Sequence, residues 1–157
     1  MWLRKPYKGN FAITSEFGMR MHPIYKVEKL HKGIDIALFV GTEILAPLDG
    51  TVNTLLEQSA GKLKGYGKYI VLTCVTSQKT PAMFYFAHLS RFAIENKKHV
   101  KQGDVIGYSG NTGLGSGAHL HLECRIFNGQ EYVPTDPRKY FDFRKDEILK
   151  DVKNFHN

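Results

Sequence analysis

The sequence of 157 residues lacks any hydrophobic run long enough to cross a membrane. About 20 consecutive apolar residues are needed for a transmembrane helix. Residues 1–6 also lack the apolar core and the small-residue cleavage site of a secretory signal peptide. We therefore expect a soluble domain without a membrane span, and we expect no export signal within this chain.

Cysteine is scarce, and no cluster of positive charge resembles a nucleic-acid-binding arm. Cys74 and Cys124 lie in apolar runs, so we expect small buried residues, with a disulfide left open. Lys and Arg number 22 against 15 Asp and Glu, a net charge of +7. Such a surface favours anionic partners in general, but interspersed charges are typical of solubilisation. We expect no specific nucleic-acid partner, and the sequence implies no oligomer.

Two common enzyme motifs are also missing. No His-Glu-x-x-His segment is present, so a glutamate base of the usual metalloprotease type is not required. The glycine-rich residues 113–117 are not followed by Lys-Ser/Thr, and they precede a predicted strand, not a helix. A phosphate-binding loop is therefore not predicted.

What is present is a series of short strand patterns bounded by turn residues, which predicts a mainly β single domain of antiparallel sheets. Residues 6–30 show no sustained periodicity, and residues 14–23 within them are predicted to form an ordered loop. Residues 142–157 carry apolar positions at helical spacing, which predicts a short amphipathic C-terminal helix packed on a domain of residues 1–141. The predicted strands are 43–46, 50–57, 68–75, 83–89, 104–109 and 119–126.

The last of these strands carries an unusual polar face. Alternation places His119, His121 and Glu123 on one side and apolar residues on the other. Same-face residues two apart are separated by roughly 7 Å at the backbone, so two imidazoles can converge on one pocket. A divalent metal would use such a pair, whereas a buried core strand would not.

Two further segments offer ligands or proton-transfer groups. His31 and Asp35 would lie roughly 13 Å apart if fully extended, so we expect the segment to bend at Gly33. With His88 and the histidine pair, five polar groups are available for a tetrahedral site that needs three and keeps one position open. The residues alone leave two assignments open. One is a three-histidine site that uses His119 and His121, and the other uses His31, Asp35 and one of that pair.

The order of these motifs resembles the lysostaphin-type (LytM-like) zinc endopeptidases of bacterial cell walls. The resemblance covers roughly residues 14–140 in unbroken order. The segments that carry it are 14–24, 31–37, 41–42, 46–52, 66–67, 87–90, 103–107, 110–113 and 119–123.

The resemblance implies a grooved antiparallel β domain with one zinc ion (Zn2+) per chain, which hydrolyses peptide cross-links of peptidoglycan. Carried over by motif position, it implies that His31, Asp35 and His121 are the metal ligands. His88 and His119 are then the catalytic pair. The alternative is a catalytically idle domain of the same fold that binds the cell wall or regulates another hydrolase.

Four further residues are candidates around this site. Glu123 is a candidate to orient an imidazole, with an ordinary salt bridge as the alternative. Tyr25 lies where some relatives place a tyrosine near the scissile bond. Arg20 and His22 belong to an Arg-x-His-Pro motif, for which we favour anchoring of the loop over substrate contact.

The chain departs from the family pattern in three ways. Ala118 replaces a frequent proline, Leu122 replaces a frequent aromatic residue, and no signal peptide or wall-binding module is recognised. We expect action on the bacterial cell wall, in the periplasm or outside the cell. The third departure fits a phage-type lysin, a virion-associated enzyme, or a fragment of an exported protein.

Overall fold

The computed structural model describes residues 2–21, 26–113 and 117–146. The predicted mainly β, antiparallel domain is confirmed. A short 3-10 helix spans Pro137–Lys139. The strands are β1 (Ile13–Ser15), β2 (Gly18–Met21), β3 (Glu28–His31), β4 (Gly33–Ile36), β5 (Glu43–Leu45), β6 (Gly50–Ser59), β7 (Lys62–Val75), β8 (Pro81–Phe92), β9 (His99–Val100), β10 (Val105–Ser109), β11 (Leu120–Phe127) and β12 (Tyr132–Thr135).

Strand β11 lies within the main sheet, whose strands run in the order β1-β4-β11-β8-β7-β6-β9. β4 pairs with the first half of β11 and β12 with the second half, while β8 pairs along the other edge. All of these pairings are antiparallel. The register places His121 opposite Asp35 on β4 and opposite Ala87 on β8. Backbone pairing alone therefore brings three sequence-distant motifs together.

All six predicted strands are present, with boundaries that differ by a few residues. The prediction of an ordered loop over residues 14–23 is wrong in part, because the end of β1 and all of β2 lie there, and β3 falls outside every predicted strand. Strands β2 and β3 form a two-stranded sheet of their own, hereafter the β2–β3 ribbon. Its residues are exposed or half-buried on both faces. Without a buried face, the ribbon has no alternation of apolar and polar residues to recognise.

Gly33 does not act as the predicted bend. It lies inside β4, paired with Glu123, and it is not among the glycines with positive φ. The interruption between β3 and β4 falls at Lys32. A Cβ atom at position 33 would lie 2.2 Å from the carbonyl oxygen of Leu122. Glycine is required here because two backbones approach closely, not because the chain must turn.

The core lies beneath the apolar face of the main sheet and includes fully buried Phe84, Phe86 and Leu122. Cys74 and Cys124 are both free and buried, which confirms their prediction as small core residues. Burial raises the pKa of the Cys74 thiol to about 12. Neither thiol is placed for metal binding.

The predicted C-terminal helix falls mostly outside the described residues. Only residues 142–146 of this segment are described. Residues 144–146 are helical, and Asp146 is fully buried. The Asp146 carboxylate accepts hydrogen bonds from Lys5 Nζ at 2.7 Å, the Tyr7 hydroxyl at 2.8 Å and the Phe11 amide at 2.8 Å. This start of the helical segment is therefore fixed to the N-terminal residues of the domain.

A search of the described residues for a helix long and apolar enough to cross a membrane finds none.

Replacing Gly33 with alanine tests the close approach of β4 and β11. The added methyl group would meet backbone atoms that cannot rotate away, so we expect a loss of about 1–3 kcal/mol in the free energy of unfolding. Urea denaturation measures this loss. The exposed neighbour supplies the control, because Lys32→Ala should change the same quantity by less than about 0.5 kcal/mol. Equal stabilities of the two variants would contradict this account of Gly33.

Candidate metal centre

Two imidazoles and one carboxylate converge where the β2–β3 ribbon meets the main sheet. His31 ends β3, Asp35 lies on β4, and His121 lies on β11. One nitrogen or oxygen atom from each lies within 4.8 Å of the others, a group able to hold a metal ion. Asp35 Oδ1 lies 2.7 Å from His121 Nδ1 and 3.4 Å from His31 Nε2. This group is called the triad below.

The ring of His31 is fixed by the turn between β1 and β2. Its Nδ1 lies 2.8 Å from the backbone carbonyl of Glu16, which can only accept a hydrogen bond. Nδ1 therefore carries the proton, and Nε2 is left as the metal-binding atom beside Asp35. Burial lowers the pKa of His31, but the bonds to Asp35 and Glu16 outweigh it and the pKa is raised, with the charge of Arg20 opposing.

The triad is also coupled electrostatically. Burial would raise the pKa of the Asp35 carboxyl, but its bonds with His121 and His31 outweigh burial and hold that pKa well below its usual range. Burial lowers the pKa of His121, and the contact with Asp35 opposes this effect. A carboxylate next to neutral imidazoles is the protonation state that metal ligation requires.

A second layer of polar groups surrounds the ring of His121. Its Nε2 lies 2.9 Å from Glu123 Oε1, and Glu123 is fully buried. Glu123 also accepts hydrogen bonds from Arg125 Nη2 at 2.7 Å and from the hydroxyl of Tyr66. The ring of Tyr66 stacks on His121 with centroids 5.4 Å apart. Burial raises the pKa of Glu123, while Arg125 opposes that shift.

Two more imidazoles lie beside the triad. The ring centroids of His88 and His119 are 4.6 Å apart, and His88 is 6.1 Å from His121. His88 Nδ1 lies 2.8 Å from the carbonyl of Thr112, and His119 Nδ1 lies 2.8 Å from that of Gly117. Because carbonyls only accept, both Nδ1 atoms carry protons and both Nε2 atoms have the free lone pair. Burial lowers the pKa of His88.

His88 adopts an unusual backbone conformation. Its φ is +63°, in the left-handed region that non-glycine residues rarely occupy. The β7–β8 register shows the cause, because Lys68 pairs with Leu89 whereas Ile70 pairs with Phe86. One extra residue of β8 is therefore inserted, a β-bulge that contains His88. Bulges redirect side chains, and here the redirected side chain is an imidazole of the site.

Two cavities open onto the triad. The larger, of about 410 Å3, is lined by Asp35, Arg20 and His119 together with Thr14, Ser15, Ala37, Gly117 and Ala118. The smaller, of about 230 Å3, is lined by His31, His121, Tyr66, Glu123, Lys29, Leu30 and Lys32. Different members of the triad are thus reachable from different cavities, as expected for a site in a groove.

The structure brings together most of the residues named from the sequence. His31, Asp35 and His121 converge, and His88, His119 and Glu123 lie beside them. Arg20 lines the larger cavity and donates a hydrogen bond to the Ser15 hydroxyl, a local contact of the anchoring kind. Tyr25 and His22 lie outside the described residues.

Sequence reasoning missed Tyr66 and the carbonyl groups that orient the histidines. Tyr66 stands in a Tyr-Gly pair, and Gly67 has φ of +62° and lies against Thr112. The Tyr-Gly pair is therefore the sequence signal that could have pointed to Tyr66. Backbone carbonyls, in contrast, leave no trace in a sequence because every residue has one.

An antiparallel β domain with a two-histidine, one-carboxylate group in a groove has the fold and donor set of a zinc metallopeptidase. The family model "Peptidase family M23" matches residues 29–137, and the chain belongs to this family. M23 is a family of zinc metallopeptidases, as the resemblance to lysostaphin-type enzymes implied.

Individual relatives agree with this assignment. The chain is 40% identical over 123 residues to the DD-carboxypeptidase/endopeptidase Mpg of Neisseria meningitidis, covering 78% of this chain and 26% of that protein. A crystal structure of a zinc-containing peptidase from Vibrio cholerae superposes with a TM-score of 0.72 at 28% identity, over 87% of this chain and 39% of that one. The chain therefore corresponds to only part of these relatives.

The catalytic domain of lysostaphin from Staphylococcus simulans shares the fold, with a TM-score of 0.62 at 24% identity. The match covers 83% of this chain and 91% of that one.

The left-handed backbone of His88 predicts that glycine at this position gives a more stable protein than alanine, the reverse of their usual ranking. In ordinary strand conformation glycine is less stabilising than alanine by roughly 0.5–1 kcal/mol. At φ of +63° the Cβ atom itself is unfavourable by about 1 kcal/mol or more. We therefore expect His88→Gly to unfold with a free energy about 1 kcal/mol higher than that of His88→Ala.

Urea denaturation in the presence of a chelator measures this difference without a contribution from bound metal. The same pair of substitutions at Thr73, on the neighbouring β7, is the control and should show alanine as the more stable variant. A more stable alanine variant at position 88 would contradict the bulge.

Proposed function

We propose that the chain is a zinc-dependent endopeptidase that hydrolyses peptide cross-links of bacterial peptidoglycan. The observation that carries the proposal is the convergence of His31, Asp35 and His121 beside two further imidazoles, where two cavities open onto the site. Membership of a peptidase family and the DD-carboxypeptidase/endopeptidase relative support it. Residues 1–141 form the proposed catalytic unit, and residues 142–146, the described start of the C-terminal segment, are packed on it.

The triad fits zinc in number and kind of ligand. Two nitrogens and one carboxylate oxygen are a catalytic ligand set, and a fourth position is left for water or substrate. His31 Nε2, Asp35 and His121 Nδ1 would hold one ion per chain, since the other ring nitrogens already have partners. When bound, zinc lowers the pKa of a water molecule towards neutrality and polarises the scissile carbonyl.

His88 and His119 supply proton transfer in this proposal. The low pKa of buried His88 favours its neutral form, whose Nε2 can take a proton from the attacking water. His119, when protonated, donates from Nε2 to the carbonyl oxygen as negative charge develops there. The carbonyls of Thr112 and Gly117 hold both rings in the required tautomer.

Glu123 is assigned to positioning, not to proton transfer with substrate. It accepts the Nε2 proton of His121, which leaves Nδ1 as the metal-binding atom. Arg125 and Tyr66 fix the carboxylate in turn. A carboxylate behind a metal-binding histidine raises the basicity of the ligand and limits the rotation of its ring.

The proposed substrate places the site of action at the bacterial cell wall, in the periplasm or outside the cell. The exposed cation Lys32, at the smaller cavity, suits an anionic polymer such as peptidoglycan. The rival proposal is a domain that binds or regulates without chemistry, and the two are separated by the experiment below.

The assignment of ligands and catalytic residues is tested by two alanine variants of the same His-x-His pair. His121→Ala should lose both bound zinc and turnover, since it removes a ligand. His119→Ala should keep about one zinc per chain and lose turnover by about a hundredfold or more, since it removes a proton-transfer group. Zinc is measured by mass spectrometry after dialysis, and turnover by the release of new amino termini from isolated cell-wall sacculi.

Each outcome has a distinct meaning. Loss of zinc in His119→Ala would favour the three-histidine site. If the zinc-loaded parent protein releases no amino termini between about pH 6 and pH 9, where imidazole can act, the binding or regulatory role is favoured.

The positioning role of Glu123 predicts a change in metal affinity. Glu123→Gln keeps the size of the side chain but removes its charge, so we expect zinc affinity to fall by about 10–100-fold. Competition with a chromophoric chelator measures the affinity. The exposed Glu131 supplies the control, because Glu131→Gln should leave the zinc affinity unchanged. Equal affinities of all three proteins would rule out the role given to Glu123.

A further inference from the structure

Arg20 is a cation in the wall of the proposed active site that has no acidic partner among the described residues. It lies on β2 of the β2–β3 ribbon and lines the larger cavity together with Asp35 and His119. Its guanidinium donates to the Ser15 hydroxyl, which is itself 3.3 Å from His31 Nδ1. Arg20 is thus part of the wall of the proposed active site.

Three other arginines are paired with carboxylates, whereas Arg91 lies over the ring of Tyr108. Arg125 pairs with Glu123, Arg138 with Glu16, and Arg144 with Asp142. Within residues 2–21, 26–113 and 117–146, no carboxylate forms an ion pair with Arg20. The planar fork of a guanidinium binds a carboxylate with two parallel hydrogen bonds, so this cation offers a ready site for one.

The charge of Arg20 also acts close to the reaction. The guanidinium shares a cavity wall with Asp35, and its hydrogen-bond partner Ser15 lies 3.3 Å from His31 Nδ1, so Arg20 is adjacent to the triad. A carboxylate bound by Arg20 must then lie near the scissile amide. The nearest free carboxylate in a peptide substrate is the α-carboxylate of the residue that supplies the leaving amine, two bonds from its nitrogen.

We propose that Arg20 binds this α-carboxylate and thereby selects substrates whose leaving residue carries a free carboxyl group. The proposal rests on the proposed function. Two classes of peptide meet the requirement: a C-terminal dipeptide, and a cross-link made through an amine whose own carbon also carries a free carboxyl group, as in a diamino dicarboxylic acid. A bond between two residues inside a glycine bridge does not, because the following carboxyl group is itself part of an amide.

The experiment compares two synthetic peptides that end in D-Ala-D-Ala, one with a free carboxylate and one with a carboxamide. Each is tested with the zinc-loaded parent protein, with Arg20→Gln and with Lys29→Gln. Lys29 is the matched control, since it is the cross-strand partner of Arg20 but lines the smaller cavity. Hydrolysis gives kcat and KM, and calorimetry gives binding of the same peptides. Zinc content is measured for each protein.

The parent protein and Lys29→Gln should prefer the carboxylate peptide by about tenfold to a hundredfold in kcat/KM, mainly through KM. Arg20→Gln should lose this preference while it keeps its zinc. A preference retained in Arg20→Gln would overturn the proposal. An equal fall in kcat for both peptides would also overturn it, since Arg20 would then act on the developing oxyanion.

The calorimetric data keep the two proposals apart. If neither peptide is hydrolysed, the proposed function fails, but the binding preference of the parent protein and its loss in Arg20→Gln still decide the role of Arg20. If both peptides are hydrolysed and bound equally well by the parent protein, the enzymatic proposal stands and carboxylate selection is excluded.

Discussion

The antiparallel pairing of β11 with β4 and β8 is the constraint on which the rest of the site depends. It places His121 opposite Asp35 on one side and opposite Ala87, the neighbour of His88, on the other. A shift of one residue in either pairing would turn these side chains to the opposite face of the sheet. Gly33 allows the close approach of β4 to β11, and the bulge at His88 shifts the register between β7 and β8.

The fold and the proposed ligands follow from the sequence because their signals are local and periodic. The alternation of His119, Leu120, His121 and Leu122 predicts a strand with one polar face, and the structure has that strand. The choice of His121 over His119 as a proposed ligand came from the family resemblance, since spacing alone left both assignments open. In the structure His121, not His119, lies with His31 and Asp35.

What the sequence could not show depends on contacts between distant segments. The β2–β3 ribbon has no buried face and hence no periodicity, so neither of its strands is predicted. A bend is predicted at Gly33 because the extended distance from His31 to Asp35 is too long for both to bind one ion. The structure instead pairs Gly33 with a residue of β11, where it allows the two strands to approach closely. The stacking of Tyr66 on His121 joins residues 55 positions apart in the chain, and neither local pattern nor composition reports such a contact.

The separate pairing of β2 with β3 divides the proposed site between two structural units. His31 and Arg20 belong to the ribbon, whereas Asp35 and His121 belong to the main sheet. A metal ion held by all three ligands would therefore link the ribbon to the main sheet. Evolution could lengthen or vary the ribbon, provided that His31 is kept, without loss of a hydrogen bond in the main sheet, so that substrate preference could diversify around the same metal ligands.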